Sequence, residues 1–148
     1  MQRELKFRAW DKQNKSMEEV ELLGDEVLRI KHAEWENRED FEVMQYTGLK
    51  DKKGVEIYEG DIIEIVNNLN EVTKKTNTHN AIVKYKEGSL VATWQDEFVG
   101  EIFNYFNSYN TPIVTFEVIG NIYENPRLLK DGGKIKYRRE YDIWFLYM

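Results

Sequence analysis

Glu56, Glu59 and Asp61 stand close together around Gly60, and they are the first side chains in this 148-residue sequence to suggest chemistry. Two carboxyl groups held about 5–9 Å apart can carry out glycoside hydrolysis, and the same oxygens can hold a hard cation. The spacing equally suits a structural corner, because glycine adopts the unusual dihedrals of a tight turn and aspartate accepts hydrogen bonds from nearby amides. Glu64 stands three residues from Asp61 and points to the opposite face of a regular strand. Other catalytic constellations are missing. Ser16, Ser89 and Ser108 lie outside any Gly-x-Ser-x-Gly elbow. His32 and His79 have neither HExxH nor HxxxH spacing, and there is no P-loop. With no cysteine, thiolate nucleophiles, zinc–thiolate sites and disulfides are excluded. The expectation is a protein without enzymatic activity, catalytic residues, cofactor or metal.

Binding chemistry is better represented. Lys84-Tyr85-Lys86, close to Trp94, and Lys136-Tyr137-Arg138-Arg139 interleave cations with flat rings, as single-stranded nucleic-acid sites do. Lys84, Lys86, Lys136, Arg138 and Arg139 are therefore the candidate nucleic-acid contacts, although the sequence pI of 5.1 opposes that reading. At the end of the chain Ile135, Tyr137, Tyr141, Ile143, Phe145 and Tyr147 share one face of an extended strand, interrupted by Arg139. An apolar terminal strand must be covered, either by its own domain or by exchange with a second copy. These six residues are the candidate self-association surface. The net charge of −6 is unevenly spread. Residues 16–42 hold ten acids against Arg29, Lys31 and Arg38, whereas residues 127–139 hold six bases against Asp131. Such poles attract one another between copies, or attract a basic partner.

The elements that must position these groups read mainly as strands. Residues 5–22 alternate around the turn-like DKQNK and suggest a hairpin. Residues 26–44 fit neither period cleanly and are read as short strands. GLKDKKG at 48–54 reads as a loop, VEIY at 55–58 as a strand, and Glu59-Gly60-Asp61 as a corner into Ile62–Val66. The polar stretch 67–80 predicts a long loop, and residues 81–94 predict a second hairpin turning at Glu87-Gly88. Asp96 followed by Phe98, Ile102, Tyr105, Phe106 and Tyr109 predicts a helix ending before Thr111-Pro112. A strand at 113–119, Gly120 and the Asn125-Pro126 turn complete the pattern. No apolar run reaches the roughly 20 residues of a membrane helix, and the first residues lack the apolar core of a signal peptide.

Three blocks carry a resemblance: FRAWD at 7–11, QYTGLKDKKGVEIYEGDIIEI at 45–65 and FEVIGNIYENP at 116–126. In order and content they resemble the YopX family of phage and prophage proteins of Gram-positive bacteria. The resemblance implies an SH3-type small barrel and transfers no activity or catalytic residue. The 67–80 insert and the 131–148 tail depart from it.

Together these readings predict a mainly β, SH3-like small barrel or roll with one or two helices and an appended C-terminal strand. A YopX-like domain would span residues 1–130, with its barrel core at about 45–126 and the N-terminal hairpin at 5–22. Residues 131–148 would form an aromatic extension. The expected function is that of a phage-encoded, non-enzymatic, self-associating protein-binding module in the host cytoplasm. Its partners would be further copies and a host or phage protein, with no membrane. The alternative is a small-barrel protein that binds nucleic acid.

Overall fold

The computed structural model describes residues 4–70, 75–86, 89–94, 97–101 and 114–131. They form two antiparallel sheets. The first contains β1 (Phe7–Asp11), β2 (Ser16–Leu23), β3 (Val27–Ile30), β4 (Trp35–Asn37), β5 (Phe41–Lys50) and β6 (Glu56–Tyr58), in the order β4-β3-β2-β1-β5-β6. The second contains β7 (Asp61–Asn70), β8 (Lys75–Lys86), β9 (Ser89–Trp94), β10 (Glu97–Glu101) and β11 (Val114–Asn121), in the order β10-β9-β8-β7-β11. A short helix, α1 (Arg127–Asp131), follows β11, and a 3-10 turn at Arg38–Asp40 links β4 to β5. The protein is mainly β, and no closed barrel is detected among the described residues.

Alternating side chains place one apolar set inside each sheet. In the first, Ala9, Leu28 and Phe41 are buried, with Val20, Leu23, Ile30 and Val43 packed against them. In the second, Ile63, Ile65, Ala81, Val83, Ala92 and Phe116 join Ile57 of β6. Ile62, Ile82, Val91 and Thr93 are also buried and fall on the opposite face, so the middle of this sheet is covered on both sides. That accounts for the nearly continuous apolar run Ile62-Ile63-Glu64-Ile65-Val66.

Both predicted hairpins form. β1 and β2 pair from Phe7↔Val20 to Asp11↔Ser16, and β8 and β9 pair from Ile82↔Thr93 to Lys86↔Ser89. Three expectations need correction. Most of the predicted loop at 67–80 is strand: β7 continues to Asn70 and β8 begins at Lys75, with Asn67↔Asn77 and Asn70↔Lys75 paired. Backbone pairing needs no apolar side chain, and so polarity alone gave a false loop signal. The predicted helix does not begin after Asp96. Residues 97–101 are β10, which returns along β9 with Glu97↔Trp94 and Phe98↔Thr93 paired. Adjacent apolar residues such as Phe98-Val99 suit a strand as well as a helix, and pairing along β9 decides between them. The rest of that predicted helix, 102–110, lies outside the described residues. Finally, β5 runs on through Lys50, into the first residues of the predicted 48–54 loop.

The two sheets meet at a corner built on Gly60. Its φ is +80°, its N–H donates to the Val83 carbonyl at 2.8 Å, and its own carbonyl accepts from Ile122 N–H at 2.9 Å. A Cβ there would lie 3.1 Å from Met44 Sδ and 3.6 Å from Ile122 Cγ1, so this position requires glycine both for its dihedral and for its closeness to the first sheet.

Candidate functional site

The carboxylates around this corner are each engaged. The side chain of Asp61 is 1% exposed; its Oδ1 accepts from Arg8 Nη2 at 2.6 Å and its Oδ2 from Tyr58 N–H at 2.8 Å. Arg8 comes from β1, so this ion pair ties the first sheet to the first residue of β7. Its guanidinium also donates to the Glu59 carbonyl at 3.3 Å and lies 4.6 Å from the Tyr58 ring centroid. Glu59 Oε2 accepts from Gln45 N–H at 2.8 Å, and Glu59 N–H donates to the Gln45 carbonyl at 3.0 Å. Lys6 Nζ donates to both Glu56 oxygens, at 2.8 and 3.0 Å.

The electrostatics follow from this arrangement. Burial pushes the Asp61 carboxyl above its ordinary value, and the charge of Arg8 with the Tyr58 amide pulls it back by less. Burial, aided by the Glu56 charge, raises the Tyr58 hydroxyl to about 12. The hydrogen bond to Glu56 raises Lys6. Among the described residues no group of three or more His, Asp or Glu side chains is placed to hold a metal ion. The corner groups hold backbone and one another.

Two further carboxylates do comparable work. Asp51 Oδ1 accepts from Lys53 N–H and Val55 N–H, both at 2.9 Å, and its Oδ2 accepts from Val118 N–H at 2.9 Å, which fastens the 51–55 turn to β11. Asp11 Oδ1 accepts from Gln13 N–H at 2.9 Å and Asn14 N–H at 3.0 Å, closing the β1–β2 turn. Trp10 stacks on Tyr123 with centroids 5.6 Å apart, so all three sequence blocks converge on this junction between the sheets.

The basic–aromatic candidates divide. Lys84 and Lys86 stand two apart on β8 and therefore share a face, the first half-buried and the second exposed; Tyr85 lies on the other face and is exposed. Lys136, Arg138 and Arg139 lie outside the described residues, as do Ile135, Tyr137, Tyr141, Ile143, Phe145 and Tyr147. His32 occupies the exposed turn between β3 and β4, at φ +65°.

The structure also brings together a surface that sequence patterning did not single out. Leu22, Arg29 and Trp35 are cross-strand neighbours on β2, β3 and β4, and Val27 stands two residues before Arg29 on the same face. Leu22 is 45% exposed, Val27 44% and Trp35 53%. A register shift between Val20 and Leu22 carries Leu22 out of the core-facing row and onto this face. Arg29 lies 5.8 Å from the Trp35 ring centroid and pairs with Glu21 at 3.2 Å. The patch lies within the acidic stretch 16–42, where Glu19, Glu26, Glu34, Glu36 and Glu39 are neighbours in sequence of its strands and turns.

The described residues thus form a two-sheet, mainly β protein whose corner carboxylates hold backbone and basic groups; Leu22, Val27 and Trp35 are exposed together on the acidic sheet, and Leu5, Val55 and Tyr85 are exposed elsewhere. The profile of the YopX protein family matches residues 6–130, and the chain belongs to that family. Among solved structures, protein EF1440 from Enterococcus faecalis is similar at 30% identity and a TM-score of 0.62, covering 86% of this chain and 99% of its own. Protein yopX from Bacillus subtilis is similar in fold, with 21% identity, a TM-score of 0.54, and coverage of 84% and 97%. No curated protein matches the chain. Among the described residues no helix is long and apolar enough to cross a membrane.

Proposed function

We propose that this protein is a non-enzymatic protein-binding module that engages its partner through the outer face of β2, β3 and β4. The observation carrying this reading is the set Leu22, Val27 and Trp35: three large apolar side chains, each nearly half exposed or more, on neighbouring strands within the most acidic part of the chain. An exposed tryptophan framed by apolar neighbours and a charged rim has the anatomy of a binding hot spot. The engagement of Glu56, Glu59 and Asp61 in holding the corner supports the non-enzymatic part. The family resemblance supports a phage-encoded accessory that acts in the cytoplasm of a bacterial host, and the SH3-like barrel remains part of the same reading. Self-association through the aromatic residues of 131–148 is its second element.

A nucleic-acid reading has one observation in its favour, the shared face of Lys84 and Lys86 on β8. Affinity capture of the tagged protein from host lysate, with and without nuclease, distinguishes the two. The binding-module reading expects a stoichiometric protein that survives nuclease and is lost with Trp35→Ala. Material lost with nuclease and indifferent to Trp35→Ala overturns it. For self-association, deleting 131–148 should convert an oligomer into a folded monomer; an unchanged oligomeric mass, or a monomeric full-length chain, refutes it.

A further inference from the structure

Resting on that reading, we infer that β4 accepts a basic, extended segment of the partner as an added strand. β4 is an edge of its sheet, and Trp35, Glu36 and Asn37 are all exposed. Its pairing phase shows which backbone groups find no strand partner among the described residues. Arg38 N–H donates to the Glu26 carbonyl at 2.9 Å, which makes Glu26 and Arg38 a hydrogen-bonded pair; two residues along, Leu28 and Glu36 form the next. The alternation turns the N–H and C=O of Trp35, and the N–H of Asn37, away from β3. Those groups are the template that strand addition uses.

Charge selects the occupant. Glu34 and Glu36 flank Trp35 along this edge, so a second copy of β4 would meet like charges, which act as a guard against self-pairing. The same acids attract a basic strand. A groove of about 620 Å³ adjoins the C-terminal end of β4; Asp25, Glu26, Glu39 and Glu42 line it with Phe41 and Val43. Arg38, whose guanidinium donates to the Gly24 carbonyl at 2.8 Å, lines it too, so that carboxylates outnumber cations there by four to one. Lys12 pairs with Glu42 at 3.1 Å, while Asp25, Glu26 and Glu39 have no cation within ion-pair distance among the described residues. Such a groove suits a long cationic side chain, its stem lying on the apolar lining and its head among the carboxylates. The partner's chemistry is therefore an extended peptide rich in arginine or lysine.

The test uses the full chain and a labelled decapeptide of alternating arginine and valine, read by fluorescence anisotropy. Strand addition to an acidic edge predicts saturable binding, at least about tenfold weaker when glutamate replaces arginine. It also predicts a similar loss when all the peptide's amides are N-methylated, which removes the backbone donors and leaves the charge. A protein carrying both Glu26→Lys and Glu39→Lys should bind at least about tenfold more weakly at an unchanged unfolding midpoint. Three results overturn the inference: no binding of the arginine peptide, equal binding of its N-methylated form, or equal binding of the glutamate form. Dimerisation that depends on Trp35 also overturns it, by making a second copy the occupant. If the peptide fails while capture from lysate still depends on Trp35, the module reading stands and the basic strand falls. If both fail, both fall.

Discussion

Removing the Asp61 carboxylate separates a structural corner from a chemical one. Asp61→Ala leaves Arg8, whose side chain is 16% exposed, without its counter-ion, and leaves Tyr58 N–H without its acceptor. Deleting one member of a buried pair costs about 3–5 kcal/mol. Asp61→Asn keeps a carbonyl for the Tyr58 amide and loses the charge-assisted bond to Arg8, a loss of about 1.5–3 kcal/mol. Replacing both partners, with Arg8→Met and Asp61→Leu, removes the orphaned charge, so the double variant should be more stable than Asp61→Ala alone. The pH dependence has a definite sign. Burial holds the folded carboxyl above its ordinary 3.8, so its contribution to stability is fullest below that value and is lost as pH rises through the folded pKa. Asp61→Asn should abolish that component. Urea unfolding of the three variants from pH 3.5 to 8 measures all of this. A stability for Asp61→Ala within about 0.5 kcal/mol of the parent protein would mean that the Arg8–Asp61 pair does not hold the corner, as would a double variant weaker than the single.

Three other outcomes follow from the same geometry. Gly60→Ala should lower stability by at least about 1–2 kcal/mol, since alanine must adopt a φ of +80° beside Met44; thermal unfolding reads the loss. Asp51→Ala should cost about 1–3 kcal/mol by orphaning the Val118 amide, and hydrogen exchange should speed up at Val118 and in the 51–55 turn while Ala9 and Leu28 stay protected. The amides of Asn14 and Gln13 and the Asn14 side chain hold the Asp11 carboxyl below its ordinary 3.8, so its stabilisation is present above that value and is lost as pH falls through the folded pKa. Asp11→Asn should flatten this acid limb of the stability curve.

Several parts of this fold were legible because local pattern and tertiary demand agree. Phe7-Arg8-Ala9-Trp10 alternates and is a strand; Gly60 sits at a corner that needs its dihedral, and the corner reading of Glu59-Gly60-Asp61 holds in the geometry. The illegible parts fail for identifiable reasons. The β7–β8 ribbon continues through asparagines and threonines because backbone pairing alone extends it. Phe98 begins a strand because β9 offers it a partner, which no local period reveals. Residues 26–44 fit neither period because a register shift beside Leu22, the two short strands β3 and β4, and a 3-10 turn fall within or next to them. That irregularity is also what hid Trp35, Leu22 and Val27 as a common surface. The reach of Asp51 to Val118, across 67 residues of sequence, was invisible for a simpler reason: the acceptor's partner is fixed by topology.

The proposed binding surface is the outer face of β2, β3 and β4. The check is a photo-reactive amino acid placed at position 35, with a second protein labelled at position 86 for comparison, irradiated in bacterial lysate before and after nuclease treatment. A protein-binding face there should yield one discrete protein adduct from position 35 and none from position 86. No adduct at position 35, together with nucleic-acid adducts at position 86 before nuclease treatment, would contradict it.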